Sequence, residues 1–143
     1  MLVSRYLRAG KLRIVFRGLA FLGPDSETAL RTTLAAGREG RLWDVVDGLY
    51  RRQGAENAGW VTEELLDEVA AEAQLDGDKL RAARGAPWVT AAIRTMQAAA
   101  DAVGVRGTPS FQLGRTGGRL ELVRLGSLGP EGITPGIDAL LGQ

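Results

Sequence analysis

Carboxylates form the densest group of side chains capable of chemistry in this sequence. Glu63, Glu64, Asp67, Glu68 and Glu72 follow one another at helical spacing and decorate the outer face of one helix, where runs of charge are ordinarily solvated. Asp25 and Glu27 stand near a helix start and suit capping and dipole roles. Gly117-Gly118 is too short a signal for a phosphate loop, since neither G-x-G-x-x-G nor G-x-x-x-x-G-K-[ST] occurs. Trp60, with Asn57 and Gly59, lies in a polar loop that could line a groove or simply anchor that loop. Trp43 and Trp88, at helix starts, read as packing residues.

Two absences limit the chemistry further. The 143 residues include no cysteine and no histidine. No disulfide, thiolate nucleophile, redox dithiol or iron–sulfur cluster is possible. Zinc and copper lose their preferred ligands, and the usual acid–base group near neutral pH is missing. No catalytic residue, no metal ligand and no cofactor is therefore assigned. Any reaction would have to use carboxylates, lysine, tyrosine, hydroxyls or backbone.

Length and composition fit one globular domain, 45% hydrophobic and 24% charged. The formal charge of +1 comes with no basic stripe, so a nucleic-acid partner is not expected. No apolar run approaches the roughly 20 residues of a membrane span, and the first residues do not form a signal peptide.

The elements that must position these residues are legible from periodicity. Leu2, Val3, Tyr6 and Leu7 form one side of a helix tail stopped by Gly10. Residues 11–17 alternate, with Leu12, Ile14 and Phe16 facing one way, which predicts a strand. Asp25 or Ser26 opens a helix to about Glu39. A second helix buries Leu42, Val45, Val46, Leu49 and Tyr50. Thr62 caps a third, with Leu65, Leu66, Val69, Ala70 and Ala73 inside, and Asp76 caps a short fourth. Pro87 starts a fifth that buries Val89, Ala92, Ile93, Met96, Ala100 and Val103, closed by Gly104. Residues 109–113 and 119–125 alternate about a glycine-rich turn and predict a β-hairpin. Thr134-Pro135 opens a last helix. A strand, a block of helices, a hairpin and a helix imply an α/β sheet with a helical insertion.

Several stretches then resemble bacterial DsbA-like proteins. They are the segment from Arg17-Gly18-Leu19-Ala20-Phe21-Leu22 to Ser26, Gly40-Arg41-Leu42-Trp43 leading to Tyr50, and Gln53-Gly54-Ala55-Glu56-Asn57-Ala58-Gly59-Trp60. Gly104-Val105-Arg106-Gly107-Thr108-Pro109-Ser110-Phe111 resembles the family's cis-proline loop. The resemblance runs in order along essentially the whole chain. It implies one thioredoxin-fold domain over residues 1–143, with a helical insertion at about 25–104, from a family of thiol–disulfide oxidoreductases. The family works by exchange at a Cys-x-x-Cys pair on a helix N-terminus. It also implies that Thr108 and Pro109 border a groove for extended polypeptide; Trp60, which could line such a groove, reads better as a loop anchor.

The departures from the family pattern are equally specific. The first core strand and the Cys-x-x-Cys have no counterpart in this sequence, so the chain is expected to be redox-inactive. In the family that strand lies mid-sheet, and unpaired buried backbone groups cost about 1–3 kcal/mol each. Exposed strand edges recruit other chains, so a homodimer is expected. The expected function is that of an inactive, truncated disulfide oxidoreductase relative. The alternative is a redox-silent module that binds peptides or itself through the cis-proline groove. A weaker alternative is a glutathione-dependent transferase or isomerase relative, with Ser4 compared with the activating serine of kappa-class transferases; its place along the helix favours an exposed helical serine. The compartment would be cytoplasmic for a chain complete as given, and extracytoplasmic if an export segment precedes it.

Overall fold

The computed structural model describes residues 2–142, which divide into two compact units. One is the helical unit, Arg17–Ala99. The other joins the residues up to Phe16 with those from Ala100 onward.

In the helical unit, α1 (Pro24–Arg38) packs on α2 (Leu42–Arg51) and α4 (Gly77–Arg84), and α3 (Glu63–Glu72) packs on α2 and α4. The core between them contains Ala35, Ala36, Val45, Leu49, Leu66, Val69, Ala70, Ala73 and Leu80, all buried. Small residues on α1 let the helices approach closely. Gly48 does the same on α2, where an added Cβ would meet Val69 Cγ1 at 3.0 Å. Two of the expected side-chain caps form: Thr62 Oγ1 accepts the Leu65 N–H and Asp76 Oδ1 accepts the Lys79 N–H. α5 (Pro87–Ala102) starts in this unit with Val89 buried, and its last turn belongs to the other.

The second unit opens with a short π-helix, Val3–Leu7, in which the Arg8 N–H reaches back five residues to the Val3 carbonyl at 2.9 Å. Gly10, with φ of 68°, ends the segment, as a left-handed terminator should. Strands β1 (Phe111–Leu113) and β2 (Glu121–Val123) form an antiparallel pair with Gln112 opposite Leu122. α6 (Pro130–Leu141) follows, with Thr134 and Ile137 buried.

Several sequence expectations are corrected. Residues 11–17 form no strand among the described residues, because alternation supplies a face but not a neighbour to bond with, and the sheet contains β1 and β2 alone. Tyr50, Trp43 and Val103, expected inside or half-buried, are 69%, 51% and 42% exposed; α2 is fully buried only along Val45, Gly48 and Leu49. α6 begins at Pro130 rather than at Thr134-Pro135. Gly129 is its N-cap, Pro130 occupies the first turn, and Pro135 lies inside the helix. Thr134 Oγ1 donates back to the Pro130 carbonyl at 2.6 Å instead of capping.

Candidate functional site

The loop between α5 and β1 is fixed at both ends by local chemistry. Gly104, with φ of 73°, turns the chain out of α5, and the Val105 N–H closes the helix end on the Ala100 carbonyl at 3.0 Å. Further along, Ser110 Oγ donates to the Gly107 carbonyl at 2.5 Å, which ties the loop across its own tip. The Thr108-Pro109 peptide bond between these restraints is cis. Thr108, Pro109 and Ser110 are all exposed. Among the described residues, neither the N–H nor the carbonyl of Thr108 has a hydrogen-bond partner.

Thr108 and Pro109 adjoin on one exposed loop leading into a strand, and the nearest hydroxyl, Ser110, is engaged as a donor to backbone. No side chain on the loop is a thiol or imidazole. Among the described residues no group of three carboxylates, histidines or cysteines could hold a metal ion.

Trp60 belongs to the helical unit and is held there by a contact the sequence did not reveal. Asp25 Oδ2 accepts the N–H of Gly59 at 2.8 Å and of Trp60 at 3.2 Å. Asp25 thus clamps the loop instead of capping α1, whose N-cap is Gly23. Gly54 lies so close to Trp60 that an added Cβ would come within 2.8 Å of it. Trp60 is half-buried, which is how a loop anchor behaves. Trp88 is half-buried beneath the Arg38 guanidinium, 3.8 Å from the ring centre.

The carboxylate run is exposed but not merely solvated. Glu63 accepts from Arg81 and Arg84 at 2.8 Å, and Asp67 accepts from Arg81 at 2.8 Å. Glu72 pairs with Arg51 and Arg52. The hydrogen bonds from Arg81, and then Arg84, hold the Glu63 carboxyl below its ordinary value, and Arg52 does the same for Glu72. Such exposed pairs orient side chains but add little stability singly. They tie α3 to α4 and α2. Glu64, whose carboxyl is lowered by its own backbone N–H and by Thr62, belongs with the start of α3.

In the second unit, Tyr6 is 1% exposed, and its hydroxyl donates to Asp138 Oδ1 at 2.7 Å. Arg5 completes the cluster, 3.1 Å from Asp138 Oδ2. Ser4 is exposed within the π-helix. Burial, followed by the bond to Asp138, raises the Tyr6 phenol above its ordinary value of 10.0. A raised value means that the folded protein favours the protonated phenol. The stabilising contribution is complete below pH 10 and is lost as pH rises through the folded value. Unfolding followed by circular dichroism between pH 8 and pH 11 should show alkaline loss of stability, and Tyr6→Phe should shrink that slope. An unchanged slope in the variant would assign the alkaline loss to other groups.

A two-stranded hairpin ending in a helix, a π-helical N-terminal segment and a separate block of helices together define an α/β protein of the thioredoxin-like class with a helical insertion. The profile of the DSBA-like thioredoxin domain matches residues 5–131, and the chain belongs to that family. Among solved structures it is similar to a thioredoxin-like oxidoreductase from Silicibacter pomeroyi DSS-3, with 27% identity and a TM-score of 0.66. That match covers 90% of this chain and 68% of the other. No curated protein matches. No helix among the described residues is long and apolar enough to cross a membrane.

Proposed function

We propose that these 143 residues form a redox-silent member of the DSBA-like thioredoxin family that binds extended polypeptide through the Thr108-Pro109 loop. The observation that carries the binding is the exposed Thr108 backbone, whose donor and acceptor have no partner among the described residues. An extended segment could satisfy both, adding to the loop as a strand adds to a sheet edge. Redox silence follows from composition. Thiol–disulfide exchange needs an attacking thiolate, and this sequence has no sulfhydryl. The function of the structural neighbour as an oxidoreductase therefore extends to the scaffold and not to the reaction.

Two assays test this reading. Insulin reduction with dithiothreitol should proceed at the same rate with and without the protein. Titration calorimetry with a reduced, carboxymethylated unfolded protein as probe should give saturable binding, which Thr108→Pro, lacking the backbone N–H, should weaken. Heat that does not saturate, or identical binding by the variant, would refute the binding assignment.

A further inference from the structure

We propose that the outer edge of residues 119–123, the arm made of β2 and the two residues that lead into it, is a self-pairing surface, where two copies of this chain join as antiparallel strands centred on Leu120. The sheet among the described residues consists of β1 and β2, so the side of β2 away from β1 is unpaired. Such edges are usually guarded by charge, proline or a bulge; residues 119–123 contain no proline, and their two charges, Arg119 and Glu121, are of opposite sign. Leu120 and Leu122 are 45% and 46% exposed. They border an open hollow of about 500 Å³ shared with Ala102, Val103 and Gln112. Flanking Leu120 are Arg119 and Glu121, both exposed and in no ion pair of the described chain.

These charges choose both the occupant and the register. When two identical strands pair across a two-fold axis normal to the sheet, facing residues must project on the same side, so the centre falls on a residue. Centring on Glu121 sets that carboxylate against its own copy. Centring on Leu122 sets Arg119 against Leu125 and Leu120 against Arg124. Centring on Leu120 places Arg119 of each copy opposite Glu121 of the other on one face and brings the two Leu120 side chains together on the opposite face. Directly opposed unlike charges favour strand pairing and like charges oppose it. The segment is thus complementary to a second copy of itself in one register. The surface is distinct from the Thr108-Pro109 loop, so peptide binding does not decide it.

The absence of cysteine makes the test direct. Leu120→Cys places a single thiol opposite its own copy, at the Cα separation of about 4.5–5.5 Å that a disulfide spans. With diamide as oxidant, the full chain carrying Leu120→Cys should form covalent dimer at least about tenfold faster than Leu128→Cys, an exposed site outside the arm. In sedimentation equilibrium, Arg119→Glu and Glu121→Arg should each raise the dimer dissociation constant about tenfold, and the double exchange should restore it. Equal cross-linking at positions 120 and 128, or a double exchange no better than either single change, would overturn the proposal.

Discussion

Leu66→Ala should lower the unfolding free energy by about 3 kcal/mol, the typical cost of emptying a buried leucine site. Leu66 is 3% exposed and belongs to the core of the helical unit, among Val45, Leu49, Val69 and Leu80. Those four neighbours lie on α2, α3 and α4 and are themselves buried, so the site has little freedom to collapse around the void. Small domains have only about 5–15 kcal/mol in total, so the variant should unfold at clearly lower urea concentration with its urea slope unchanged. A loss below about 1 kcal/mol would mean that the helical unit repacks, contrary to the tight core described.

Pro135→Ala should act in the opposite direction and stabilise the protein by about 2 kcal/mol. Pro135 lies inside α6, five residues after Pro130. An interior proline removes the N–H that would bond the carbonyl four residues back, here that of Glu131, and its ring crowds that carbonyl, at about 3 kcal/mol. Alanine loosens the unfolded chain, which offsets about 1 kcal/mol of the gain. The position is exposed, so alanine leaves no cavity. Thermal unfolding should report the increase. An unchanged or lower midpoint would mean that the proline ring makes a packing contribution larger than the hydrogen bond it forgoes.

The same proline shows why part of the fold was readable and part was not. Thr134-Pro135 has the local form of a helix start, and local form was all that periodicity could weigh. The helix begins earlier because Gly129-Pro130 also has that form, and Ser127 joins its first turn by bonding Glu131 and accepting the Gly129 N–H. Where one local signal stood unopposed, it held: Thr62 and Asp76 cap, Gly10 and Gly104 terminate, and residues 115–118 turn the hairpin. Residues 11–17 failed for a different reason. Alternation describes which side chains share a face, but a strand exists only with a partner, and no period within seven residues reports one.

The site was legible to a similar degree. The Thr108-Pro109 loop stood out through its resemblance to a family, and the chain's membership in that family gives the loop its context. The clamp of Asp25 on Gly59 and Trp60 spans more than thirty residues, and the bond from Tyr6 to Asp138 spans 132. Neither spacing leaves a trace in periodicity. Asp25 was more visible as a cap because it lies beside a helix start, and the competing acceptor role emerged only when the 54–60 loop folded over it. The carboxylates of α3 were placed correctly on an outer face, but their arginine partners come from α2 and α4, beyond the reach of any single helix pattern.

A site-resolved titration tests the central claim most directly. Backbone amide spectra of the uniformly ¹⁵N-labelled protein would be recorded as an extended, cysteine-free peptide is added. Saturable shifts concentrated at Gly107, Thr108, Ser110 and Phe111, with a common dissociation constant, are the predicted result. Saturation with those four amides unmoved, or no saturation at all, would contradict it.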